Sequence, residues 1–305
     1  MISTSKHRIV LRAFLFALAF VLPFPAGADL ESGREAFRAG DYDTALAAFR
    51  PAAEAGDAEA QYWLGRLYDA GAGVAADPAQ ALRWFRDAAR QGHAEAQRVV
   101  GVFHEEGRVV PRSYGEAASW YAKAAEGGNA KAQRNLGVLY ADGKGVDVDP
   151  ERAVDLFRKA AAQGNAKAKR NLAYMYYFGA GVAQDFERAA ELFAATAADG
   201  SEKAEYDLGR LYYRGQGVAQ DFERAVRHFK AAARAGHGRA QVFLGRMYLR
   251  GEGVARDHAE SYYWLILAQP QEPERAGHFL ARLRKTLSAD RIDEAERRAK
   301  TFVPR

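Results

Sequence analysis

The chain has 305 residues, 49% of them hydrophobic and 27% charged, with a formal net charge of +5. That balance belongs to a folded chain of one large domain or two ordinary ones. It contains no cysteine, which excludes disulfides, thiol nucleophiles and cysteine-based zinc sites.

The first 28 residues differ from the rest. Lys6, Arg8 and Arg12 precede the apolar run AFLFALAFVL (Ala13 to Leu22), which Pro23 and Pro25 break, and small residues Ala26 to Ala28 stand before Asp29. This order predicts a cleaved secretory signal, because the run is too short for a stable bilayer span. The alternative reading of the same run is an uncleaved membrane anchor. No cysteine follows to carry a lipid. Loss of residues 1–28 takes the net charge from +5 to +2, so the basic balance gives little support to nucleic-acid binding.

From Ala60 onward one segment recurs. AQYWLGRLYDAGAGV returns at Ala96, Ala132, Ala168, Ala204 and Ala240, always 36 residues on. A fixed spacing without insertions means that each unit makes the same step in space. Each unit divides into two predicted helices. Helix A starts at Asp57, His93, Asn129, Asn165, Ser201 and His237, each after a glycine suited to end the preceding helix. Its stripe in the first unit is Ala60, Leu64, Leu67 and Tyr68. Helix B starts at Asp77, Ser113, Asp149, Asp185, Asp221 and Asp257, and repeats the pattern of Ala81, Trp84, Phe85, Ala88 and Ala89. Gly65, Gly101, Gly137, Gly209 and Gly245 lie inside helix A, with Ala173 in the fourth unit. Glycine there costs about 1 kcal/mol against alanine. A need for smallness follows, predicted to let helix A approach the alanine face of helix B.

The second unit departs from the pattern with His104, Val109 and Pro111, and its loop EEGRVVPRS is expected to take a different shape. After the repeats, Leu280, Leu283 and Leu287 suggest one helix, and Ser288 caps a second with Ile292, Ala295, Ala299 and Phe302 on one face. Terminal units of a stack need such a cover.

The units A-x-x-x-L-G-x-x-Y-x-x-G-x-G-V, followed by D-x-x-x-A and A-A-x-x-G, resemble Sel1-like repeats, relatives of tetratricopeptide repeats. The segment Gly33 to Gly56 resembles a tetratricopeptide-type pair. The resemblance implies an all-α fold, a right-handed α-solenoid of antiparallel helix pairs. The expected organisation is a signal at 1–28, a leading helix pair at 29–56, six repeats at 57–270 and capping helices at 271–305.

Motifs for chemistry are lacking. The seven histidines show no H-E-x-x-H or similar spacing, so no metal is expected. His93 and His237 read as helix-start or surface residues. The GxG loops have neither a preceding strand nor a third glycine, so they are not dinucleotide fingerprints and no cofactor is expected. No S-x-x-K nucleophile motif is present.

Shared positions build the scaffold, so binding residues should lie among the unshared ones. At 100° per residue, the face of helix A opposite its stripe holds positions 62, 66 and 69 and their equivalents. From the third unit onward this face is rich in tyrosine and arginine, the types that dominate protein interfaces. The candidate protein-binding residues are Arg134, Arg170, Tyr174, Tyr177, Tyr206, Arg210, Tyr213 and Arg246. Asn135 and Asn171, one residue along, can hydrogen-bond a partner's backbone. The competing reading packs Tyr174 and Tyr177 against the neighbouring repeat.

The resemblance implies that helix A lines the concave side. It further implies a non-enzymatic scaffold, adaptor or regulator in the bacterial envelope, periplasmic or secreted. Its partner would be a protein, such as an envelope sensor or assembly protein. No nucleic acid and no stable membrane anchor after signal cleavage are expected. A cell-wall or polysaccharide-associated module and a secreted host-targeting effector are the alternatives.

Overall fold

A computed structural model describes residues 26–304. The signal expectation rests on residues 1–28, of which 1–25 lie outside the described residues. Every regular element among the described residues is helical. A leading pair, α1 (Ala26–Ala39) and α2 (Tyr42–Glu54), is followed by six pairs. These are α3 (Ala58–Ala70) with α4 (Pro78–Arg90), α5 (Ala94–Glu106) with α6 (Tyr114–Glu126), and α7 (Ala130–Asp142) with α8 (Pro150–Ala162). Next come α9 (Ala166–Phe178) with α10 (Phe186–Ala198), α11 (Glu202–Arg214) with α12 (Phe222–Arg234), and α13 (Gly238–Arg250) with α14 (His258–Ala268). α15 (Pro273–Leu283) and α16 (Ala289–Lys300) close the stack. Each helix from α1 to α15 packs on its sequence neighbours, and α16 returns to α14. The chain is an all-α repeat solenoid.

The helix starts follow from side-chain caps. All six predicted starts of helix A accept a hydrogen bond from the backbone N–H three residues on. His93 and His237 do so through Nδ1, at 3.1 and 3.2 Å. They are therefore helix caps, like the Asp, Asn and Ser residues at the equivalent positions. The six predicted starts of helix B cap in the same way. Each cap contributes about 1 kcal/mol.

The glycines inside helix A answer to one large side chain of helix B, an aromatic ring in four of the five, rather than to the predicted alanines. A Cβ at Gly65 would lie 2.8 Å from the Phe85 ring, and one at Gly209 would lie 2.9 Å from Phe229. Gly101 meets Tyr121 at 2.6 Å and Gly245 meets Leu265 at 2.7 Å. The large side chain of helix B thus occupies the space of the missing Cβ. Phe85, Tyr121, Phe157, Phe193 and Phe229 are each at most 2% exposed. Burying each contributes about 2–3 kcal/mol.

A second tie was not anticipated. Gln61, Gln97, Gln133 and Gln241 are buried, and each Nε2 donates to a carbonyl near the end of the preceding helix B, at 3.1–3.2 Å. Each of those carbonyls already accepts the N–H of the glycine three residues on, at 3.0–3.1 Å, and the amide adds a second bond from the next unit.

The loop of the second unit does not change shape, contrary to expectation. Val109 takes φ 65°, the conformation of Gly73 (69°) and Gly145 (71°) in the same place. The flanking bonds also match: Arg108 N to Phe103 O at 3.0 Å and Ser113 N to His104 O at 2.9 Å, beside 3.0 Å for both equivalents in the first unit. The fixed step between helices A and B holds the loop, so the valine is forced into left-handed backbone that glycine accepts freely.

At the C-terminal end α14 is apolar around most of its circumference, because α15 and α16 cover its outer side. Tyr262, Trp264, Leu265, Leu280, Leu283 and Ala295 are each at most 5% exposed and share one cluster.

Candidate functional site

The odd-numbered helices from α7 to α13 carry all ten candidate residues. Three of them, Arg170, Tyr174 and Arg210, meet at one buried carboxylate. The Asp207 side chain on α11 is only 3% exposed. It accepts a hydrogen bond from the Tyr174 hydroxyl on α9. Arg170 Nε stands 3.8 Å away and Arg210 Nη1 3.6 Å away. Burial pushes the Asp207 carboxyl above its ordinary range, against the opposing pull of Tyr174 and the two guanidiniums. Burial and the Asp207 charge push the Tyr174 hydroxyl up to about 12.

A second junction forms at Tyr177. Its hydroxyl accepts from Arg214 Nη1 at 3.2 Å and Arg210 Nη2 at 3.4 Å, and donates to Gln216 at 3.2 Å. Phe243 on α13 is the third. It stacks on Phe229 at 4.8 Å, touches Tyr206 and Tyr213 edge-on at 5.9 Å, and lies 5.4 Å from the Arg246 guanidinium. Tyr213 also donates to Glu252 at 3.0 Å.

Arg134 and Asn135 bond each other on α7 at 3.1 Å and take no part in these junctions. Asn171 is half-buried on α9. Tyr206 is not a surface contact, contrary to the angular argument: it is 8% exposed and stacks on the His237 ring at 4.5 Å. Tyr62 and Val242, in the same series, are likewise buried. A helix packed on one side only has one buried side and one open side. In the solenoid the next helix A also covers part of it, and position 62 faces that neighbour. Tyr174 and Tyr177 do reach the neighbouring repeat, so they serve the scaffold while half-exposed.

Asp207 and Phe243 were missed. Both belong to the series that contains Asn135 and Asn171, spaced 36 residues apart, and that series changes type at each unit. Following it two steps further would have found them. The pairing of caps with tyrosines was equally visible: Tyr62 precedes His93 and Tyr206 precedes His237 by 31 residues, whereas arginines precede Asn129, Asn165 and Ser201.

Among the described residues no group of three or more His, Cys, Asp or Glu could hold a metal ion. No described helix is long and apolar enough to cross a membrane.

No curated protein matches the chain. Solved structures do. One is a protective antigen of uropathogenic Escherichia coli strains with an SLR fold, 33% identical over 84% of this chain, TM-score 0.76. This chain spans 56% of that protein's length. Another is a Sel1 repeat protein from Oxalobacter formigenes, 31% identical over 79% of this chain and 96% of its own, TM-score 0.72. The Sel1 repeat matches residues 58–93, 94–129, 130–165, 166–201, 202–237 and 238–268. Proteins built of these repeats generally act by protein–protein interaction. The recurrent caps, the ring-filled glycine notch and these matches agree that the chain belongs to the Sel1 repeat family.

Proposed function

We propose that this protein is an exported, non-enzymatic scaffold or adaptor of the bacterial envelope that captures a protein partner on the helix-A face of α9, α11 and α13. One observation carries the reading. The positions shared between units are buried scaffold, while the unshared positions of these three helices bring tyrosines, arginines and Phe243 to one connected surface. Such surfaces supply interface hot spots of about 2 kcal/mol or more per residue. Export rests on the basic, apolar and small-residue order of residues 1–28. The leading pair and the two closing helices act as the ends of the stack.

Crosslinking in cells, followed by recovery of the captured protein, tests the proposal. The double variant Arg170→Ala/Tyr177→Ala is expected to reduce capture about tenfold or more. Both residues also join α9 to α11, so the melting curve is recorded alongside. Unchanged capture by a folded double variant overturns the proposed site.

A further inference from the structure

The helix-A face changes sign along the solenoid. α3 and α5 carry five carboxylates against two arginines. α9 and α13 carry six cationic side chains and no carboxylate. α11, between them, carries three carboxylates: half-buried Glu202 in its first turn, Glu205 turned to His228 at 2.7 Å, and buried Asp207.

Between α11, α13 and the start of α15 lies an open groove of about 310 Å³. Its charged lining is Arg210, Arg214, Arg239, Arg246 and Arg275, with no carboxylate, and its apolar floor includes Val242 and Phe243. Glu272, just outside, is divided between Arg239 at 3.1 Å and Arg275 at 2.7 Å. Arg214 donates to the Tyr177 hydroxyl. Arg246 rests on the rings of Phe243 and Phe279, at 5.4 and 5.9 Å, with a buried Nε that has no hydrogen-bond partner. Five guanidiniums therefore share two carboxylates, Glu272 beside Arg239 and Arg275 and the buried Asp207 beside Arg210, which leaves Arg214 and Arg246 without one. Like charges at this density repel unless counter-charge arrives.

We infer that this groove receives an extended, acidic segment of the partner protein, with an apolar side chain seated on Phe243. The groove holds the volume of roughly ten waters, room for a few side chains rather than a folded surface. A second groove of about 330 Å³ shares Tyr206 and Arg239 with it and continues past Asp207 and Glu272, both paired to arginines, to Arg170 and Lys203, which favours an elongated occupant. Guanidinium forks bind carboxylates in pairs of hydrogen bonds, so the arginines recognise Asp and Glu side chains directly. This inference rests on the proposed protein-binding role and names the chemistry of its partner.

The probe is a fluorescent peptide rich in Glu with one central Phe, beside a control peptide with Lys in place of Glu. Anisotropy is measured with the full chain at about 0.05 M and about 0.15 M salt. Binding of the Glu peptide alone is expected, weakening with salt. Arg214→Ala/Arg246→Ala should weaken it about tenfold or more. Arg83→Ala/Arg90→Ala on α4 removes the same charge at a distance and should change it less than about twofold. Equal losses in both variants overturn the inference, because binding then follows net charge alone. So does preferential binding of an anionic polysaccharide or of acidic-lipid vesicles that the groove variant abolishes. So does self-association of the chain that the groove variant abolishes. The cellular partner separates the two levels. Capture that survives Arg214→Ala/Arg246→Ala but is lost in Arg170→Ala/Tyr177→Ala overturns the acidic segment and upholds the protein-binding role.

Discussion

Val109→Gly should stabilise the protein. Val109 holds φ 65° and is the one non-glycine residue at positive φ among the described residues. Left-handed backbone costs an ordinary residue about 1–2 kcal/mol, and a β-branched one belongs at the upper end. Its side chain is 54% exposed, so little apolar burial is forfeited on its removal, about 0.5 kcal/mol. Glycine returns about 0.5–1 kcal/mol through the freedom of the unfolded chain. The net gain is about 0.5–1 kcal/mol. A steric term adds to it. At Gly73 in the first unit a Cβ would lie 2.9 Å from the Tyr42 carbonyl oxygen, and the later equivalents meet the backbone of the preceding helix B closer still. Urea unfolding should show a higher midpoint, and the melting temperature should rise by about 2 °C. Amide exchange in α4 to α6 localises the effect if the array does not unfold in one step. The opposite change, Gly145→Val, should cost about 2–3 kcal/mol. A lower midpoint for Val109→Gly would refute the argument that the step between helices A and B imposes this backbone.

His237 supplies a pH prediction. Burial holds its imidazole below the ordinary value of 6.5, assisted by Arg239 and Lys203 and opposed by Glu202. A base with a lowered folded value contributes stability above about pH 6.5 and loses it as pH falls through that folded value, because the unfolded chain takes the proton first. His237→Asn, the cap used at Asn129 and Asn165, should flatten this loss in urea midpoints compared at about pH 7.5 and about pH 5.5. Tyr174→Phe removes the hydroxyl that bonds buried Asp207 and should cost about 1–3 kcal/mol, part of which Asp207→Asn restores in the double variant by removing the buried charge. Truncation after Gln269 uncovers Tyr262, Trp264 and Leu265, so light scattering should detect association that the full chain lacks.

The scaffold was legible because repetition turns one chain into six parallel readings. Cap positions, helix phase and the glycine notch all follow from comparing units, and each has a local cause. What that comparison could not supply was the neighbour across the notch: a ring from helix B fills it, and pairing between units is not written in the period. The same gap explains Tyr206. Angular phase describes a helix alone, whereas burial depends on which helix stands beside it. The loop at Val109 failed in the other direction, since local preference argued for a new shape and the tertiary step overruled it. Asp207 and Phe243 lie in the series of Asn135 and Asn171, one residue along from the positions chosen by angle, and what they touch depends on the neighbouring helices rather than on the phase of their own.

The buried glutamines divide the stack mechanically. Gln61, Gln97, Gln133 and Gln241 bracket their units to the preceding helix. The equivalent places hold Lys169 and Glu205, which turn instead to Asp199 and His228. The joints from α8 to α9 and from α10 to α11 thus lack the clasp that the others have, each worth about 1 kcal/mol. Other side chains take over around those two joints: Arg158 donates to Tyr176 from α8 to α9 at 3.2 Å, and Tyr174 and Tyr177 bond Asp207, Arg210 and Arg214 from α9 to α11. The side chains proposed to meet a partner are therefore also the ones that hold α9 against α11, so emptying that face by substitution is expected to loosen the stack where the glutamines do not secure it.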